Sequence, residues 1–133
     1  MKLQSFSFVL YTMQLVAADT LPSGGTSRLF VSSYESTVSS ISLLPGTGSM
    51  VLKTIDINRD CGLNPSWLTF DTSQRVIYCL DEGINQSFGT VTALSVSSQG
   101  SLSMIGSQKI LPGPVNGVFR GNISTLLAVA QYR

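Results

Sequence analysis

Residues 64–82, NPSWLTFDTSQRVIYCLDE, hold an extended apolar run, a polar turn and a second extended run, the pattern of a β-hairpin. The same plan recurs along the chain. RLFVSSYESTVSSISLLPGTGSMVLKTI begins at Arg28, and RVIYCLDEGINQSFGTVTALSVSSQGSLSMIGSQKI begins 47 residues later at Arg75. Each runs from Arg through extended residues to an acidic residue, Glu35 against Glu82, then through a TV strand and a Gly-Ser turn to a closing strand. A third copy opens at LLAVAQY, with Leu126 fifty residues after Val76.

No window beyond Gly25 carries a helical period, so the fold class is all-β. Nine strands are expected at 28–34, 37–44, 50–57, 66–70, 76–80, 90–96, 102–110, 115–119 and 126–131. The intervening PGTGS, DTSQR, SSQGS and RGNIS are rich in turn-forming Gly, Asn, Asp and Ser. Four strands repeating every 40 to 50 residues is the signature of a β-propeller blade. Residues 28–57 supply the last three strands of one blade, 64–110 a whole blade, and 115–132 the inner two strands of a third. Two to two and a half blades do not close a ring, and an open wedge leaves bare faces and edges that further blades would cover. The expected architecture is a partial propeller.

NPSWLTFD (64–71), VIYCLDE (76–82), GTVTALSV (89–96), GSLSMIG (100–106), GPV (113–115) and LAVAQY (127–132) together resemble the N-terminal part of the lactonase family of seven-bladed propellers. That family includes 6-phosphogluconolactonases and fungal carboxy-cis,cis-muconate cyclases, and Asp-Cys-Gly before Asn-Pro-Ser-Trp is similar to its secreted fungal branch. The resemblance implies hydrolysis of a sugar lactone, or reversible closure of a muconate to a lactone, with a small lactone or carbohydrate-derived substrate and no cofactor. Hydrolysis needs a base for water and donors for the carbonyl oxygen; cycloisomerisation needs a cationic clamp and a proton-exchanging acid. The family's His, Arg and Glu cluster lies in later blades, and this chain has no histidine. A non-catalytic binding or cell-wall-associated propeller is the alternative, since the fold hosts many functions.

Of the 133 residues, 43% are hydrophobic and 11% charged, and the mean hydropathy is +0.28, values of a chain that folds. Eight Lys or Arg against seven Asp or Glu form no basic stripe, which excludes nucleic acid as a partner. Residues 1–18, MKLQSFSFVLYTMQLVAA, read as a secretory signal peptide cleaved after Ala18, with 19–27 as a linker; the apolar run is too short for a membrane span. The expected location is therefore extracellular, without membrane attachment after cleavage. Asn85-Gln86-Ser87 and Asn122-Ile123-Ser124 are N-glycosylation acceptors, Asn122 in an exposed turn and Asn85 in a rim loop. Cys61 and Cys79 are either a disulfide or two buried thiols.

Propeller ligands sit where the loops into the innermost strands meet those between second and third strands. Here those loops are 58–65 and 82–89, which makes Asn64, Asp81 and Glu82 the substrate-rim candidates; no metal site is expected. By the resemblance, Glu82 matches the acidic residue of an Asn-Glu motif and Asp81 stands where Asn is common. The competing reading makes Glu82 a strand-end carboxylate that holds loop backbone. Trp67 is expected between blades, and Arg28 and Arg75 on solvated turns. Pairing Phe70 with Val76 would set Cys79 opposite Trp67.

Overall fold

The computed structural model describes residues 14–17, 27–119 and 127–132. Its strands are β1 (Gln14–Ala17), β2 (Ser27–Ser33), β3 (Thr37–Pro45), β4 (Met50–Asn58), β5 (Pro65–Asp71), β6 (Val76–Asp81), β7 (Gly89–Val96), β8 (Leu102–Ile110), β9 (Pro114–Phe119) and β10 (Leu127–Gln131). Among the described residues there is no helix. Two four-stranded antiparallel sheets, β1-β2-β3-β4 and β5-β6-β7-β8, are followed by the pair β9-β10. This is a partial propeller, and among the described residues the sheets do not close a ring.

Register identifies the repeat more sharply than sequence matching does. Ser33 pairs with Thr37 where β2 meets β3, and Asp81 pairs with Thr90 where β6 meets β7. Both outer hairpins carry a bulge, between Ser40 and Ile41 in the first blade and between Ala93 and Leu94 in the second. Ser40 faces Phe30 and Ala93 faces Tyr78 across the second strand, so Phe30 and Tyr78 are equivalent. The true offset is therefore 48 rather than 47, and Arg28 corresponds to Val76, not to Arg75.

Turns follow from their residues. Asp71 closes the β5–β6 hairpin by accepting N–H bonds from Ser73 (2.9 Å) and Gln74 (3.1 Å) through Oδ1, which lets Arg75 take a φ of 54° before β6. In the β3–β4 turn Gly46 N–H donates to Ser49 O at 2.8 Å, and Gly48 supplies the φ of 81°. Phe70 pairs with Ile77 rather than Val76, which sets Cys79 opposite Leu68 and Leu80 opposite Trp67.

The core is the seam between the first two blades. The even positions Phe30, Ser32, Val38 and Ser40 turn inward, and Phe30 and Val38 join Leu68, Ile77, Leu94, Val96 and Leu102 in one buried cluster. Period-two alternation aims them there. Arg28 lies in the same seam, 7% exposed, with Nη2 donating to Ser98 O at 3.3 Å across to the second blade; it is not on a solvated turn. Its guanidinium fills space that a side chain at Gly100 would take, since a Cβ there would sit 2.7 Å from Nε. Arg75, half-buried in the β5–β6 turn, reaches the neighbouring β7–β8 turn, donating to Val96 O and Ser97 O at 3.2 and 3.0 Å.

Residues 14–17 fall inside the stretch read as a leader. In the structure they form β1, pairing Gln14 with Ser32 through Ala17 with Leu29, which completes the first blade as a four-stranded sheet. Cleavage after Ala18 would remove this strand and bare the β2 edge. Ala18 itself and the 19–27 linker, apart from Ser27, lie outside the described residues, as does the sequon at Asn122.

Candidate functional site

The rim is organised by Asp81 and Glu82, adjacent residues that point opposite ways at the end of β6. Asp81 is 4% exposed and accepts backbone N–H bonds from Asn64 (2.9 Å), Leu63 (3.3 Å) and Gly83 (3.1 Å). It thereby ties the loop entering β5 to the loop leaving β6. Gly62, with a φ of +121°, passes so close that a Cβ would overlap the Asp81 carboxylate. Asn64 contributes through its backbone: its N–H bonds Asp81 and its carbonyl accepts from Glu82 N at 3.1 Å.

A disulfide joins Cys61 to Cys79 (Cα–Cα 5.8 Å), both fully buried, and pins the same loop to β6. Thr90 Oγ1 donates to Cys61 O at 3.2 Å and anchors that loop to β7. The loop does fold back over the strand. It provides a fixed floor rather than a hinge.

Glu82 is 6% exposed, and both its carboxylate oxygens are engaged by phenols. Tyr34 O–H donates to Oε1, and Tyr132 O–H donates to Oε2 at 3.0 Å. The three residues are equivalent, each directly following the second strand of its blade. They meet because successive blades fan about one axis. Gly113 completes the ring, its N–H bonding Glu82 O at 2.8 Å and its carbonyl accepting from Tyr132 N at 3.0 Å. The Glu82 hydrogen bond, its negative charge and, least, burial hold the Tyr132 phenol above its ordinary pKa, so it stays protonated as a donor.

A cavity of about 880 Å3 opens beside this carboxylate, within the range of small-molecule sites. Its walls are the β6–β7 loop from Glu82 to Gln86, the segment Leu111–Gly113, and Gln131 with Tyr132. Asn85, at a φ of 62°, lies exposed on that wall, so a glycan there would stand in the cavity mouth. Among the described residues no group of three or more His, Cys, Asp and Glu could hold a metal ion.

Of the substrate-rim candidates, Glu82 alone lines the cavity, while Asp81 and Asn64 build the loops behind it. The backbone-holding role expected of Glu82 belongs to its neighbour Asp81. Aligning Glu35 with Glu82 conceals Tyr34 and Tyr132 in the sequence. Glu35 is in fact exposed, its N–H on Ser33 Oγ at 3.2 Å and its carbonyl accepting from Arg59. Counting from strand ends would have found both tyrosines. Trp67 is half-buried against the third blade, its indole N–H donating to Gly117 O at 3.0 Å beside the Thr69 hydroxyl, which donates to the same carbonyl at 2.6 Å.

A family model described as "Lactonase, 7-bladed beta-propeller" matches residues 28–133, from the second strand of the first blade to the last residue. Comparison with curated proteins finds no match, and neither does comparison with solved structures.

Proposed function

We propose, for a chain that belongs to the lactonase family of seven-bladed β-propellers, that the complete protein opens or closes a lactone ring at this rim. The reaction is hydrolysis of a sugar lactone or interconversion of a carboxymuconate with its lactone. The observation that carries the reading is the cavity beside Glu82 and Tyr132, at the loops where a propeller builds its site. Glu82 holds substrate, and Tyr132 offers a proton donor that stays protonated at neutral pH. The base that activates water comes from a blade outside these 133 residues, and the chain alone binds without turnover. Export is part of the proposal, supported by the leader pattern and by the Cys61–Cys79 disulfide, which suits an oxidising compartment.

A second reading, a binding module without chemistry, draws on the two phenol bonds that already occupy both oxygens of Glu82. Such a carboxylate is better placed to accept hydroxyls than to remove a proton. The deciding experiment isolates the native protein through peptides of NPSWLTFDTSQR, determines its length, and assays lactone hydrolysis and muconate cyclisation. A species much longer than 133 residues that turns over either substrate supports the enzyme. A long species that turns over neither sinks it in favour of the binder.

A further inference from the structure

Among the described residues the rim cavity is bounded by hydrogen-bonding groups and apolar surface but by no cation. Glu82 puts one buried carboxylate on its wall, and none of the described lining residues is Lys or Arg. Lys109 is instead stacked over the Phe88 ring, 3.9 Å from the centroid. An anion entering this space would approach a carboxylate in partly dehydrated surroundings, where like charges repel more than in bulk water.

Hydroxyl groups fit the same walls well. They donate to a carboxylate, and they both donate to and accept from amides. Asn85 and Gln86 supply amides on one wall and Gln131 on the other, where Nε2 donates to Leu111 O at 2.9 Å and leaves the amide oxygen as an acceptor. Ile84 and Leu111, 41% and 60% exposed, add an apolar surface for the C–H face of a ring.

We infer that this cavity takes an uncharged polyhydroxy ring, a neutral sugar or sugar lactone, in preference to a phosphorylated sugar or a polycarboxylate. This narrows the proposed function and rests on its placing the substrate here. The test is titration calorimetry at low ionic strength on the full, non-glycosylated chain. Its probes are D-glucono-δ-lactam, a neutral ring that does not hydrolyse, and the 6-phosphate of the same lactam. The neutral probe should bind at least about tenfold more tightly. Glu82→Gln should narrow that ratio to within about threefold, and added salt should narrow it in the unaltered chain. Gln131→Ala should weaken both probes while leaving the ratio in place.

Equal or tighter binding of the phosphate, a ratio insensitive to both salt and Glu82→Gln, or no binding of either probe would each overturn the inference. Should Glu82→Gln fail to fold, the salt series on the unaltered chain decides. The two proposals fail separately. Neutral selectivity without lactone or muconate turnover by the complete protein removes the catalytic reading alone, and turnover with selectivity for the anion removes this inference alone.

Discussion

The seam between the first and second blades and the seam between the second and third use one device in their inner halves and differ in their outer halves. Phe30 meets Phe70 across the first seam with ring centroids 5.4 Å apart, and the equivalent Tyr78 meets Phe119 across the second at the same 5.4 Å. Outside that pair the first seam is closed by Arg28 on Ser98 O and by Asp56, whose Oδ2 accepts from Leu102 N at 2.7 Å. In the second blade the position of Asp56 is Gly106, and nothing lies within 4 Å of the Cβ it lacks. Neighbouring β8 side chains stand open, Met104 at 51% and Ile105 at 60% exposure. Inner strands pack as soon as two blades meet, whereas an outer half is finished only when the neighbour brings all four strands.

The largest expected effect tests the claim that the first seam is the core. Phe30→Ala removes a fully buried ring and should cost about 3–5 kcal/mol in urea unfolding, whereas Phe119→Ala, half-buried, should cost about 1–2 kcal/mol. Equal costs would break the comparison. Next comes the staple below the rim: replacing Cys61 and Cys79 together by Ala should cost about 3 kcal/mol, by the loop-entropy account for a separation of 18 residues. A loss far smaller than that would mean the loop is held by Asp81 alone.

Smaller effects sharpen the contrast between outer halves. Asp56→Ala removes the bond to Leu102 N and should cost about 1 kcal/mol, while Gly106→Ala should stay within about 0.5 kcal/mol of neutral. A large penalty for Gly106→Ala would show that the second outer half is already packed. Smallest is the pH dependence of the Tyr132–Glu82 contact. Because the folded phenol titrates above its unfolded value, its contribution is complete below the ordinary phenol pKa and is lost as pH rises through the folded value. A phenolate absorbance difference between the parent and Tyr132→Phe should show that delayed titration, and an ordinary midpoint would remove the contact.

Strand positions were legible because they are local. Alternation of apolar and polar residues and turn chemistry at Asp71, Gly46 and Gly48 place nine of the ten strands within a residue of where they lie. β1 escaped because apolar residues near a terminus serve a leader as well as a strand. Arg28 departs from the sequence expectation for a physical reason too. A charged residue opening a strand reads as exposed, whereas the bond to the carbonyl of Ser98, seventy residues away, helps make its burial tolerable.

By itself the sequence determined the all-β class, the blade period and family, and the presence of Glu82 at a strand end, because each depends on residues close together along the chain. The tertiary structure decided which strand ends meet. Tyr34, Glu82 and Tyr132 lie 48 and 50 residues apart, and a one-residue slip in aligning the repeats puts Glu35 in the place of Tyr34. That slip is resolved only by the backbone ladder, since pairing register and the fan of blades, both non-local, choose the side chain that faces the cavity.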